Sequence, residues 1–122
     1  MCYNEIMELI IGGYAQKKVE YAKTLEPDAE IINDLHLMIK ERLTGGAGAD
    51  SIFEEISGLV SGAEGRGKKI IIISDEIGCG IVPLDGLERE WREVTGRILC
   101  RLAERAEKVT RIVMGLPQVI KG

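Results

Sequence analysis

Apolar residues in this chain fall into short unbroken runs separated by stretches with helical spacing. The run at residues 6–11 is stopped by a Gly pair and predicts a buried strand. The run IIIIS at residues 70–74 is the clearest strand, because a strand that is apolar on both faces is typical of the centre of a parallel sheet. Three further stretches predict a short strand, a last parallel strand and an added edge strand: AEIIND (29–34), VTRIVMG (109–115) and QVIK (118–121).

Between these runs, apolar residues recur three and four positions apart and predict helices. The helices are expected over residues 17–25, from Leu35 to about Leu43, over residues 51–60 with Ile52, Ile56, Leu59 and Val60 inward, and from Asp85 to about Lys108. The last helix should bury a stripe of five residues: Leu87, Trp91, Val94, Ile98 and Leu102. The glycine-rich stretch SGAEGRGKK (61–69) predicts a loop.

The predicted order is β-α-β-α-α-β-α-β with an added last strand. This alternation predicts a single α/β domain over residues 1–122, with a mostly parallel sheet and helices on both faces. In such sheets ligands bind outside the carboxyl ends of the strands. The stretches GGYAQKK, NDLH and SDEIGCG all follow predicted strands, so a site is expected where they meet.

The composition narrows the class of protein. A chain of 122 residues with 45% hydrophobic and 30% charged residues is typical of a soluble globular domain. The net charge of −4 disfavours a nucleic-acid or anionic-membrane surface, and no apolar run is long enough to span a bilayer. The N-terminus lacks the pattern of a signal peptide. The three cysteines are odd in number and lack the spacing of metal ligands, which predicts reduced thiols in a cytoplasmic protein. A single His and no Cys pair make a zinc site an unfavourable prediction.

The Gly pair opens a candidate phosphate-binding loop with the spacing of the pattern G-x-x-x-x-G-K-[S/T]. Lys18 holds the lysine place, but Lys17 replaces the second glycine and Val19 the hydroxyl residue that would bind Mg²⁺. A lysine at a left-handed position costs about 1–2 kcal/mol, so Lys17 reshapes the loop rather than abolishing it. The alternative is a strand–turn–helix with two solvated lysines. The candidate nucleotide-binding residues are Gly12, Gly13, Tyr14, Ala15, Gln16, Lys17, Lys18 and Val19.

Acidic residues follow two of the predicted strands, at Asp34, Asp75 and Glu76. Asp34 is a candidate ligand of Mg²⁺, and Glu76 a candidate catalytic acid–base group beside Lys18. The alternative is that these carboxylates cap the following turn or helix. His36 is expected to pack at a strand–helix junction rather than to act in catalysis.

The stretch SDEIGCGIVP, with REWREVTGRILCRLAERAEKVTRIVMGLPQVIKG after it, resembles the bifunctional adenosylcobinamide kinase/adenosylcobinamide-phosphate guanylyltransferase family of cobalamin biosynthesis. Members carry N-E-V-G-x-G-I-V-P after a strand, and their phosphate loop, G-G-x-x-S-G-K-S, begins where Gly12 begins here. The resemblance implies a three-layer P-loop NTPase-like (RecA-like) fold and a kinase of the cobinamide hydroxyl. It also implies Mg²⁺ with ATP or GTP as cofactors, and a homo-oligomer.

This chain departs from that family's pattern in the loop and in two other places. Asn33 stands where the family has an acid after its second strand, so Asp34 is one place along. The segment with the guanylylated His is missing between the first helix and the second strand, and His36 aligns with a Thr. Two hypotheses follow: a shortened kinase that uses Lys18 and Glu76, or a non-catalytic relative that binds nucleotide or corrinoid or serves as an assembly subunit. Guanylyl transfer is not expected from either.

Overall fold

A computed structural model describes residues 5–13, 17–25, 28–75 and 86–122, with the backbone alone for residues 5 and 6. Nine elements follow one another along the described chain: β1 (Glu5–Gly12), α1 (Lys18–Leu25), β2 (Glu30–Ile32), α2 (Leu35–Thr44), α3 (Ala49–Gly65), β3 (Ile70–Asp75), α4 (Gly86–Arg105), β4 (Ala106–Val113) and β5 (Leu116–Lys121). The predicted α/β class and the order of the elements are confirmed.

The strands form one five-stranded sheet in the order β2-β3-β1-β4-β5. The first four strands run parallel, and β5 returns antiparallel to β4 as the predicted edge strand. Strand β1 therefore lies at the centre, between β3 and β4. Its last residue, Gly12, is level with Asp75 at the end of β3 and with Ile112 in β4. The chain segments that follow β1 and β3 consequently begin side by side at the carboxyl ends of the strands.

Helices cover both faces of the sheet, but unequally. Side chains of α2, α3 and α4 pack on one face around Leu9 and Ile72. On the other face, Ile10, Ile71 and Ile73 form a smaller cluster, and α1 is the only described helix that joins it, through Ala22 and its neighbours. This division follows from the strand period of two, which sends alternate residues of β1 and β3 to opposite faces.

Helix α3 continues through Gly65, so the loop predicted over residues 61–69 is wrong in its first half. Ala63 is fully buried and anchors the last turn, whereas Leu59, predicted to face inward, is 43% exposed. The helix ends where Gly67 adopts a φ of 70° and Lys68 N–H donates to the carbonyl of Ala63. Burial of Ala63 thus outweighs the weak helix propensity of the nearby glycines.

Helix α4 ends at Arg105, three residues before the predicted end at Lys108. Ala106 instead begins β4 and is buried beside β1, because pairing with the central strand satisfies the backbone that a longer helix would have used. The predicted start of α4 at Asp85 lies outside the described residues.

The apolar stripe of α4 packs mainly inside the protomer. Val94, Ile98 and Leu102 belong to the larger core cluster and Trp91 packs against it, whereas Leu87, predicted to be inward, is 37% exposed. Exposed large apolar side chains concentrate instead on the β4–β5 hairpin, at Val113, Met114, Leu116, Val119 and Ile120. None of the described helices combines the length and apolar character that crossing a bilayer requires.

Candidate functional site

The candidate site forms at the carboxyl ends of the parallel strands, where β1 and β3 end. Gly12 and Asp75 are neighbours in the parallel register, and α1 begins at Lys18 after the loop that follows β1. This is the strand–loop–helix that the sequence predicted for residues 12–19, although residues 14–16 lie outside the described part. Residues 13–17 form the connection between β1 and α1, the β1–α1 loop.

Lys18 turns back across the β1–α1 loop instead of extending into solvent. Its ammonium donates to the carbonyl oxygen of Gly13 at 2.7 Å and lies 2.7 Å from Oδ1 of Asp75. The Lys18 side chain is 8% exposed and the Asp75 side chain 18% exposed, so this ion pair is mostly shielded from water. An ammonium has three N–H donors, and among the described residues one of them is used by the Gly13 carbonyl.

His36, at the start of α2, adds a third group to this ion pair. The backbone N–H of Asp75 donates to His36 Nδ1 at 3.1 Å, and His36 Nε2 lies 3.4 Å from Asp75 Oδ2. Trp91 of α4 in turn donates from Nε1 to the carbonyl oxygen of His36 at 2.6 Å. The site is therefore braced by α2 and α4 as well as by the two strands. His36 is buried at a strand–helix junction, as predicted.

Three positions in and beside the β1–α1 loop explain why its sequence is unusual. Lys17 keeps a glycine-like backbone with φ of 60°, so the loop retains a left-handed residue where the pattern has Gly. Val19 packs against the smaller core cluster, which gives the replacement of the hydroxyl residue a role in packing. A side chain at Gly12 would place Cβ 2.8 Å from the carbonyl oxygen of Ile112. The close approach of β4 thus requires Gly12 whether or not phosphate binds.

The remaining predicted site residues are not brought into contact with Lys18 by any described interaction. Asp34 precedes α2 with φ of 55° and is exposed, and its side chain makes no capping hydrogen bond. Its carbonyl oxygen accepts from Leu37 and Met38 instead. Glu76, like Tyr14, Ala15 and Gln16, lies outside the described residues. Within the described ranges no group of three or more His, Cys, Asp or Glu side chains could hold a metal ion. Asp34 as a Mg²⁺ ligand therefore stays a prediction.

A cavity of about 350 Å³ lies at the opposite, amino ends of the strands, beside the first residues of β2 and β3. Its cationic lining is largely paired: Arg66 hydrogen-bonds Glu30 and holds the pKa of that carboxyl below its usual value. Lys69 lies 2.6 Å from Glu107 and 3.5 Å from the buried Glu8. Burial favours the neutral form of Lys69 and would lower its pKa. The two carboxylates favour the charged form more strongly, so the pKa of Lys69 is raised. These pairings make the cavity a weaker candidate than the Lys18 site.

The sequence of this chain matches, over residues 10–120, the pattern that defines the cobinamide kinase/cobinamide phosphate guanyltransferase family. The chain belongs to this family. Among curated relatives, it is 35% identical over 71 residues to the bifunctional adenosylcobalamin biosynthesis protein CobU of Salmonella typhimurium, and 34% identical over 71 residues to CobU of Escherichia coli. It is 44% identical over 54 residues to the bifunctional adenosylcobalamin biosynthesis protein CobP of Pseudomonas aeruginosa.

These alignments are partial on both sides. They cover 58%, 58% and 44% of this chain, and 39%, 39% and 31% of the CobU proteins and CobP in that order. The chain thus spans well under half of the length of the curated relatives it matches. Membership of the family confirms the resemblance carried by SDEIGCGIVP, and it agrees with the P-loop-like order of a central strand, a loop and a helix.

The sequence does not predict that Lys18, Asp75 and His36 form one cluster. It marks Asp75, with Asp34 and Glu76, as an acid after a strand, and it predicts a packing role for His36. Strand periodicity carried a usable signal: Asp75 lies two residues after Ile73 and therefore shares the sheet face that α1 covers.

Proposed function

We propose that this protein binds the phosphates of ATP or GTP at the β1–α1 loop, with Lys18 as the phosphate-contacting cation. The observation that carries the proposal is the position of the Lys18 ammonium, which is held at the start of the loop by the Gly13 carbonyl and the Asp75 carboxylate. The N-terminus of a helix that follows a strand and a loop favours phosphate, because the first backbone N–H groups of a helix have no partner within it.

Mg²⁺ would accompany the nucleotide in this proposal. Carboxylate oxygens are the ligands that Mg²⁺ prefers, and Asp34 and Asp75 are the acids that follow β2 and end β3. Asp34 is exposed and free of a capping bond, so it is open to an ion, whereas Asp75 is already engaged by Lys18. The structural fit is thus partial, since Val19 cannot supply the hydroxyl ligand of the usual pattern.

Titration of the purified protein with ATP and with GTP, each with and without Mg²⁺, tests the proposal directly by calorimetry. Lys18→Ala should weaken binding by about 1.5–3 kcal/mol, the effect of losing a charge-assisted contact. Lys17→Ala is the matched control, since Lys17 is exposed and makes no described contact with Asp75 or Gly13. Equal effects of the two substitutions, or a larger effect at Lys17, would refute the assignment of Lys18.

Phosphoryl transfer to the cobinamide hydroxyl is the activity we propose by family membership, with Lys18 and Glu76 as the catalytic residues. A second candidate is a non-catalytic nucleotide- or corrinoid-binding relative. Val19 favours it, because its side chain packs in the core and cannot ligate Mg²⁺. Incubation with labelled ATP, Mg²⁺ and cobinamide distinguishes the two: label in the corrinoid product supports the kinase, and binding without transfer supports the second candidate.

Guanylyl transfer through a covalent His is not part of the proposed function. Helix α1 ends at Leu25 and β2 begins at Glu30, so the connection between them leaves no room for another strand and a His-bearing segment. We therefore expect no acid-labile label on the protein after incubation with GTP labelled at its α-phosphate. Recovery of such label, and its loss in His36→Phe, would contradict this expectation.

We also propose that the protein is a cytoplasmic homo-oligomer. The apolar stripe of α4 does not support self-association, because it packs mainly inside the protomer. The exposed apolar side chains of the β4–β5 hairpin now support self-association better, because clusters of this kind are uncommon on monomers. Sedimentation equilibrium decides the matter: a mass of 13.4 kDa at all concentrations means a monomer. Met114→Lys, at an 87% exposed site, should reduce any larger mass.

A further inference from the structure

The two oxygens of the Asp75 carboxylate have different partners at different distances. Oδ1 lies 2.7 Å from the Lys18 ammonium and forms a close ion pair with it. Oδ2 lies 3.4 Å from Nε2 of His36, beyond the range of about 2.7–3.2 Å that a full hydrogen bond requires. A rotation of the carboxylate that moves Oδ2 by a few tenths of an ångström would close this second contact.

The hydrogen bonds of His36 determine which ring nitrogen can serve Asp75. Nδ1 accepts the backbone N–H of Asp75 at 3.1 Å and therefore carries no proton. The ring proton lies on Nε2, the nitrogen nearest to Oδ2. The Trp91 hydrogen bond to the carbonyl of His36 fixes the backbone of this residue from the α4 side. His36 is thus held as a donor beside a carboxylate that does not yet use it.

We infer that His36 is a positioning residue that receives the Asp75 carboxylate when a phosphate draws Lys18 away from it. This inference rests on the proposed function and names how the site exchanges partners. Without His36, phosphate binding would leave a carboxylate that is 18% exposed without its cation, and desolvated carboxylates without a partner are costly. With His36 in place, Oδ2 closes on Nε2–H while Lys18 turns to the ligand.

Three substitutions of His36 separate the donor at Nε2 from the acceptor at Nδ1. His36→Gln places an amide N–H₂ near the position of Nε2, and His36→Asn places an amide oxygen near that of Nδ1. His36→Phe keeps the ring shape without either nitrogen. We expect His36→Phe to weaken ATP binding about tenfold, the effect of one lost charge-assisted contact. His36→Gln should restore binding to within about threefold of the unaltered protein, and His36→Asn should not.

The comparison refutes the inference if His36→Asn restores binding and His36→Gln does not, because His36 then acts only on the backbone of Asp75. Equal losses in three variants that unfold in urea like the unaltered protein also refute it, since a donor at the position of Nε2 would then make no difference. Urea unfolding of each variant shows whether the fold is intact.

A second measurement needs no nucleotide. In Lys18→Met the carboxylate has lost its cation, so the His36 contact should close. Because the chain contains a single His, its imidazole signals in ¹⁵N-edited NMR spectra are assigned without ambiguity. We expect the Nε2–H proton to move downfield and exchange more slowly with water than in the unaltered protein, with a coupling across the Asp75 N–H···Nδ1 bond preserved. An unchanged Nε2–H signal would overturn the inference. Absence of ATP binding to the unaltered protein would instead overturn the proposed function, and the Lys18→Met spectrum would still decide the role of His36.

Discussion

The ion pair between Lys18 and Asp75 should be the most strongly coupled pair of charges in the site, and a double-mutant cycle measures this coupling. The substitutions are Lys18→Met, which keeps the length of the apolar stem, and Asp75→Asn, which keeps the shape of the carboxylate. Each removes one charge and leaves the other partner in place. The quantity compared is the free energy of unfolding of the single and double variants.

The structure sets the expected magnitude. The two charged atoms are 2.7 Å apart, and the side chains are 8% and 18% exposed, so water screens them poorly. An exposed ion pair contributes about 0–1 kcal/mol, whereas removing one partner of a fully buried pair costs about 3–5 kcal/mol, and this mostly shielded pair lies between the two. Each single substitution should therefore destabilise the protein by about 2 kcal/mol, with Lys18→Met at the lower end because His36 remains near the carboxylate. The double variant should lose about 1.5 kcal/mol less than the sum of the two.

Equilibrium urea unfolding, with slopes that stay equal among variants, gives these free energies. The ion pair between Glu93 and Arg97 on α4 is the matched control, because both side chains are more than half exposed. Its cycle should yield only about 0.3–0.5 kcal/mol of coupling. If the Lys18–Asp75 coupling is no larger than that of the control, the two charges are screened by water, and the reasoning from their burial is wrong.

Two further predictions concern Gly12 at the site and Lys69 at the opposite end of the strands. Gly12→Ala should destabilise the protein by about 1–3 kcal/mol, because the new Cβ would lie 2.8 Å from the carbonyl oxygen of Ile112. Gly58→Ala, at a helical position with open space around it, should instead stabilise by about 0.5–1 kcal/mol, and urea midpoints that shift in the same direction for both would contradict the steric argument. Burial alone would lower the pKa of Lys69. The hydrogen bond from Lys69 to Glu107 and the nearby carboxylate of Glu8 outweigh burial and raise this pKa above 10.5. The stabilisation from a raised pKa is fully present below the unfolded value and is lost as the pH rises through the folded one. Unfolding free energies of the unaltered protein should therefore fall more steeply above pH 10.5 than those of Lys69→Met, and parallel pH curves would show that the pair contributes nothing.

The sequence by itself determined the order of the elements, because strand and helix periodicities are local properties of the chain. The run IIIIS predicted a strand buried on both faces, as β3 is, and the Gly pair after residues 6–11 ended β1 where a loop was expected. The carboxyl edge of the sheet followed as the place of the site, because parallel strands end together. The resemblance to the family was likewise carried by local sequence, chiefly SDEIGCGIVP, and the family's pattern matches this chain over residues 10–120.

The boundaries of α3 and α4 were decided by tertiary contacts. Ala63 extends α3 through a glycine-rich stretch because its side chain is buried, and Ala106 ends α4 because it pairs beside β1. Neither contact is visible in a window of neighbouring residues, where the glycines predict a loop and the spacing of apolar residues predicts a longer helix. Leu59 and Leu87 were assigned inward by spacing alone and are exposed in the fold.

The site itself depended most on the tertiary structure. Asp75 and His36 hydrogen-bond across 39 positions of sequence, and Lys18 reaches Asp75 only because Gly12 is level with it in the register of β1 and β3. The residue types at the edge were readable from the sequence, but their pairing was not, since a register shift of one residue would send Asp75 to the opposite face. Local periodicity thus determined which side chains reach this edge of the sheet, and the pairing of the strands decided which of them touch.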